Sequence, residues 1–232
     1  MSRKRQLNVA GRIPRQMKHT AVTRSAWAAP SSKRARGGQL NERLPFVPPE
    51  DWHEPREDGS GYRFLVQAPG EGYRHVVTPA EVRERLGALP PAFIRPLEVV
   101  QFSRMTRKKQ SFPCYGMQWG AAIYLYPIEK TLVETYSQPP KPNQVNEARM
   151  YGGRWVQEAA NTWSLIWTEE TIKDFYLNNI LIHELGHLLD DRNSRQVDRE
   201  RFAEWFAVRY GYQSSAGRRA APKLVRRRHA RR

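Results

Sequence analysis

The spacing of apolar and polar positions changes several times along this chain. Residues 1–45 show no sustained period; Ala, Ser and Gly are scattered among basic side chains, which predicts an unfolded segment. Residues 46–61 contain Pro48-Pro49, Pro55 and two glycines, and read as a linker. From Tyr62 onward the pattern becomes periodic. Short apolar runs predict strands over 62–67, 97–102, 115–119 and 121–127, with Gly120 between the last two and Pro127 closing the second. Thr78-Pro79 with Glu81 is a helix start, with a cap, a proline at the first position and a carboxylate three residues after the cap; Pro90-Pro91 lies beyond its end. Three prolines, Pro139, Pro140 and Pro142, mark 137–147 as a loop. Two strands over 154–158 and 162–168 predict a hairpin around Ala159-Ala160-Asn161. Then the period lengthens. One helix is predicted over 170–190, capped by Thr168 or Thr171, and a second over 196–210, with Gly211 as its stop. No internal repeat is visible. Strands first and helices last predict an α+β domain over 61–212, between disordered tails at 1–60 and 213–232.

Charge sharpens this division. Residues 1–45 hold eleven Lys/Arg against Glu42 alone, and residues 213–232 hold eight with no acid, so a formal charge of +16 sits almost wholly on the ends. The body between them is close to neutral. Basic tails are attracted to polyanions, and equally serve as solvated ends. They suit nucleic acid or an anionic membrane face alike; they lack the interleaved aromatic residues of a single-strand groove, Trp27 being the one aromatic in either, so any nucleic-acid contact they make is non-specific and through phosphates. Seven Trp, ten Tyr and eight Phe provide for a real core. Cys114 is the single cysteine, which excludes an intramolecular disulfide and a cysteine-based metal cluster and reads as an inert buried thiol. No signal peptide and no transmembrane run is visible, which makes a cytoplasmic location the expectation.

The chemistry lies in His183-Glu184-Leu185-Gly186-His187, inside the first long helix. On a helix, positions i and i+4 project from one face, so two imidazoles one turn apart can grip one divalent ion. Glu184, between them, is placed to act as general base on the metal's water. Phe175, Ile182, Leu185 and Leu189 supply the face that buries the helix. Gly186 costs on the order of 1 kcal/mol in a helix relative to Ala, which is understandable where another backbone must approach closely. An open catalytic site needs a third protein ligand. The one downstream histidine, His229, lies in the basic tail, so the candidates are Asp190, Asp191, Asp198, Glu200 and Glu204. Asp191 is four residues after His187, but three ligands in line on one straight helix cannot easily surround an ion.

His183-Glu-Leu-Gly-His-Leu-Leu-Asp-Asp, followed by Glu200-Arg-Phe-Ala-Glu204-Trp-Phe-Ala, resembles the gluzincin clan of HExxH zinc metallopeptidases. The likeness is greatest to minigluzincins and to the catalytic domain of anthrax lethal factor, and covers about residues 165–212. It implies a small zincin-like domain in which a mixed sheet precedes an active-site helix and a glutamate-bearing helix. It further implies that zinc (Zn2+) is the cofactor, that Glu200 is the third ligand, and that Glu204 orients a histidine ligand from behind. Zincins also present an edge strand to extended substrate, and 119–124 carries suitable small residues, although it reads equally as a core strand. Lethal factor places a tyrosine seven residues before its glutamate ligand; here that residue is Asn193, which leaves oxyanion stabilisation to other candidates such as Tyr210 and Tyr212.

The expectation is a zinc-dependent endopeptidase acting on protein or peptide substrate, with Glu184 as base. The second reading is a nucleic-acid-associated binding protein whose zincin-like domain is inactive or structural. Zinc content and chelator-sensitive proteolysis separate the two.

Overall fold

The computed structural model describes residues 50–54, 61–111 and 114–215. The tail expectations for 1–49 and 216–232, and the linker residues 55–60, lie outside the described residues. In chain order the elements are β1 (Arg63–Val66), β2 (Tyr73–Arg74), α1 (Pro79–Gly87), α2 (Pro91–Ile94), β3 (Val99–Phe102), α3 (Arg107–Ser111), β4 (Gly116–Trp119) and β5 (Ala122–Leu125). There follow β6 (Ile128–Glu129), β7 (Val133–Tyr136), α4 (Pro142–Met150), β8 (Arg154–Ala159), β9 (Thr162–Ile166), α5 (Glu169–Phe175), α6 (Leu181–Leu189) and α7 (Gln196–Phe206). Helices and small sheets are mixed in an α+β arrangement. No helix among the described residues is long and apolar enough to cross a membrane.

The main sheet has the order β1-β3-β5-β4. Its first three strands are parallel and β4 is antiparallel to β5, joined to it through a turn at Gly120 (φ 59°). The runs in β3 and β5 are buried along their whole length, as strands covered on both faces must be. On one face Val100, Phe102, Ile123 and Leu125 join Leu181, Ile182 and Leu185 in the main core. On the other lie Val99, Ala122, Tyr124 and Tyr126.

Residues 50–54 cover that second face. The Tyr124 hydroxyl donates to the Asp51 carbonyl (2.8 Å), His53 Nε2 lies 2.8 Å from Gln101 Oε1, and Trp52 meets Trp119 edge-on at 5.2 Å. Lys109 Nζ lies 2.5 Å from Glu50 Oε1 and 4.3 Å from the centre of the Tyr126 ring. These five residues therefore belong to the domain, which corrects their reading as linker. A sheet face with two tyrosines, Val99 and Met117 needs cover from water, and this segment supplies it.

The start of α1 forms as its sequence predicts: Glu81 N–H donates to Thr78 Oγ1 (3.2 Å), and Glu81 Oε2 accepts from the Thr78 N–H (2.8 Å). The hairpin over 154–166 also forms, as β8 and β9. The loop reading of 137–147 is corrected by α4. Pro142 stands at the first helical position, where the missing N–H removes no bond, so the third of three apparent breakers is a helix starter.

The predicted helix over 170–190 is continuous but not uniform. Thr168 caps α5, a π-helical segment (Tyr176–Ile180) follows, and α6 continues the run. The second helix passes from α7 into another π-helical segment (Ala207–Tyr212). Gly211 is therefore inside the run rather than its stop. A Cβ at Gly211 would lie 1.8 Å from the Asn178 carbonyl oxygen, so glycine is required by the contact of one π segment with the other. Shifted π geometry frees polar groups, and buried Arg85 serves both segments: Nε donates to Asn178 Oδ1 (2.6 Å) and Nη2 donates to the Tyr210 carbonyl. A Gly211→Ala variant is expected to lose at least about 3 kcal/mol, because backbone rather than a movable side chain must yield. Chemical denaturation measures this; unchanged stability would show that the segments separate freely.

Glu134 ties β7 to the root of β4. The Tyr115 hydroxyl and Trp167 Nε1 donate to its Oε2 (2.8 and 3.3 Å). Burial pushes this carboxyl up to about 7, against the downward pull of those two donors. A raised folded value means that stability is fullest below the unfolded carboxylate range and declines as pH rises from about 4.5 to about 7, by up to about 3 kcal/mol. Glu134→Gln retains an acceptor and is expected to gain stability over the parent at pH 8 but not at pH 4. Thermal unfolding at both pH values checks this, and an equal gain at each would remove Glu134 as the cause.

Candidate metal centre

Helix α6 has two kinds of face. Leu181, Ile182 and Leu185 are fully buried in the core, while His183 and His187, one turn apart, point together on another side. Their rings stand edge-to-face with centres 4.7 Å apart, and their Nε2 atoms are 3.1 Å apart. The helix ends at Leu189. Asp190 leaves the helical path with ψ 90°, and its carboxylate accepts from the Asn193 side chain (2.9 and 3.1 Å) and from the backbone N–H groups of Arg192 and Asn193. This carboxylate-held turn reverses the chain into α7.

Gly186 sets how near α7 comes. A Cβ there would stand 2.9 Å from Ala203 Cα and 3.1 Å from Phe206 Cβ, so the close approach inferred for this glycine is an approach of the second helix. That contact brings Glu200 over the two imidazoles. Its Oε1 is 3.4 Å from His187 Nε2 and its Oε2 is 3.5 Å from His183 Nε2. Burial raises the Glu200 carboxyl, but the two histidines outweigh it and hold it well below the usual carboxylate range. Gln196 Nε2 donates to Glu200 Oε1 (2.7 Å) and steadies it.

His183, His187 and Glu200 form a group that could hold a metal ion, with one ligand atom from each, all within 4.8 Å of one another. The donor set fits zinc. Bonds of about 2.0–2.1 Å in tetrahedral geometry set ligand atoms about 3.3 Å apart, which matches separations of 3.1, 3.4 and 3.5 Å. Hydrogens on neutral imidazoles cannot satisfy all three contacts together: when both rings donate to Glu200, two N–H groups face one another.

Glu184 is almost wholly buried and lies against the first residue of β4. A Cβ on Gly116 would meet Ile180 Cγ2 at 2.6 Å, Glu184 Cγ at 3.1 Å and Glu184 Oε1 at 3.3 Å. Gly116 therefore lets the edge strand press onto the residue between the histidines. Its signal in sequence is a glycine inside a strand pattern. The edge itself is β4, which ends at Trp119; β5, which contains 122–124, is paired on both sides and is a core strand.

The remaining candidates are placed elsewhere. Asp191 is exposed beyond the end of α6, and Asp198 faces Arg201 (3.4 Å) and Arg195 (3.9 Å). Glu204 is exposed, and among the described residues no hydrogen bond joins it to either imidazole. One turn beyond Glu200 on a helix of 3.6 residues per turn means about 40° of further rotation, here away from the Ala203 contact and toward solvent. The residue that touches the carboxylate ligand is Gln196. Tyr210 packs with Phe93 and Phe206, and Tyr212 with Tyr151. Arg199 went unremarked in the sequence: its Nη2 donates to the His187 carbonyl (3.3 Å) and reaches Gln118 Oε1 of β4 (3.5 Å). Burial, with the charge of Glu184 beside it, pushes the Cys114 thiol up to about 12, so it stays neutral.

The fold and these distances define a two-histidine, one-carboxylate cluster beside a sheet edge. Comparison with protein-family models, with curated proteins and with solved structures finds no match to the chain.

Proposed function

We propose that the protein is a zinc-dependent endopeptidase of the gluzincin type, with a zincin-like domain over the described body of the chain. The observation that carries this is the convergence of His183, His187 and Glu200 from two helices at zinc-like separations, with Glu184 buried between that cluster and an edge strand. When bound there, zinc supplies Lewis-acid polarisation of the scissile carbonyl and makes a water acidic at neutral pH.

The chain's own residues do the rest. The free side of β4 (Gly116–Trp119) accepts an extended peptide as a further strand, so the scissile bond lies over α6. Glu184 takes the proton of the attacking water and passes it to the leaving amine. Arg199, held where α6, α7 and β4 meet, is the cation we assign to the charge that develops on the carbonyl oxygen. An Arg199→Ala variant is expected to lose about 10²–10³-fold in kcat at unchanged zinc content; full turnover would return that role to another group.

Metal analysis of purified protein, with casein cleavage before chelation, after it and after zinc is restored, tests the whole reading. One zinc per chain and chelator-sensitive cleavage are expected. A protein that neither contains nor takes up zinc would sink it.

A further inference from the structure

We infer that the outer face of α7 is a docking surface for single-stranded nucleic acid, an inference that stands apart from the peptidase reading. Trp205 is 53 % exposed, although an indole is among the side chains most favoured for burial. It has a ring neighbour, Phe202, at 5.6 Å with a 41° tilt, and the Arg192 guanidinium lies 5.8 Å from the Phe202 ring centre. Val197 and Val208 are exposed along the same side of the helix at 55 % and 38 %. Positions 197, 201, 204, 205 and 208 follow helical spacing, so one solvent-facing stripe carries Val197, Arg201, Glu204, Trp205 and Val208.

Charge identifies the occupant. Arg192, Arg195, Arg201 and Arg209 stand against Asp198, Glu200 and Glu204, while Arg199 is turned inward to the His187 carbonyl and Gln118. Glu200 is turned to the histidines, and Asp198 is engaged with Arg195 and Arg201. The helical run then leads into residues 213–232, which hold eight Lys/Arg and no acid. A purely phosphate-bearing partner would use the cations and leave the rings idle. A duplex would keep its bases stacked away from them. A single strand uses both, with phosphates on arginines and an unstacked base on the indole. The tails lack aromatic residues for such a site; the folded helix that leads into one tail provides them. An anionic membrane fits less well, because sinking this stripe into a bilayer surface would also draw in Asp198 and Glu204.

The test compares full-length protein with Trp205→Ala and Trp205→Phe. Folding is checked by circular dichroism, and the probe is a labelled oligothymidylate of about 16 nucleotides, with heparin as a polyanion without bases. Trp205→Ala is expected to weaken oligothymidylate binding about tenfold and leave heparin binding unchanged, while Trp205→Phe keeps most of the affinity. Equal oligothymidylate affinity in Trp205→Ala would overturn the proposal and leave binding to the tails. Equal loss on heparin would overturn it too, as would Trp205-dependent binding to phosphatidylserine vesicles without oligothymidylate binding.

Discussion

A Glu184→Gln variant is expected to keep its zinc and lose about 10²–10⁴-fold in the rate of peptide cleavage. Glutamine has nearly the shape of glutamate, and the pocket permits little else: Glu184 is 4 % exposed and its Oε1 lies 3.3 Å from where a Cβ on Gly116 would stand. The three ligand atoms belong to His183, His187 and Glu200, so the substitution removes none of them. It removes only the proton acceptor. Metal content measured beside turnover separates the outcomes. Zinc retained with cleavage lost is the result for a general base. Zinc and cleavage lost together would make Glu184 a positioning residue, and zinc retained with full cleavage would exclude it from the chemistry.

The sequence exposed those parts of the site that local geometry sets. His183 and His187 are paired by helical spacing alone, and the cost of glycine inside a helix already hinted that something approaches Gly186. Glu200 could be reached from its motif, but a motif does not fix the rotation of α7 about its axis. That rotation is set by Ala203 against Gly186, a contact between distant turns, and it turns Glu200 to the two histidines and leaves Glu204 exposed. Gly211 illustrates the opposite error. Glycine after a helical pattern signals a stop, yet here it admits the Asn178 carbonyl. Register shifts within helices leave no trace in apolar periodicity, so neither π segment was visible. Pro142 and residues 50–54 were misread for one reason: prolines mark breaks in a pattern without saying whether the chain beyond starts a helix or lies across a sheet.

Glu200 also decides between a three-ligand centre and a chance pair of histidines. In Glu200→Ala, zinc affinity is expected to fall at least about 100-fold, since even partners behind a ligand commonly account for 10–100-fold. Asp191→Ala, which alters another of the carboxylates considered from sequence, is expected to leave affinity unchanged, because Asp191 lies exposed past the end of α6. Competition against a chromophoric chelator reads both. Stability adds a second readout. Glu200 is held down by the two histidines, so without metal its removal takes a carboxylate from beside His183, which is 1 % exposed. Added zinc should then raise the unfolding temperature of the parent and of Asp191→Ala by mass action, and that of Glu200→Ala much less. If zinc stabilises Glu200→Ala as strongly as the parent, the ion sits on the histidines with another partner, and the helix that bears Glu200 has no part in holding it.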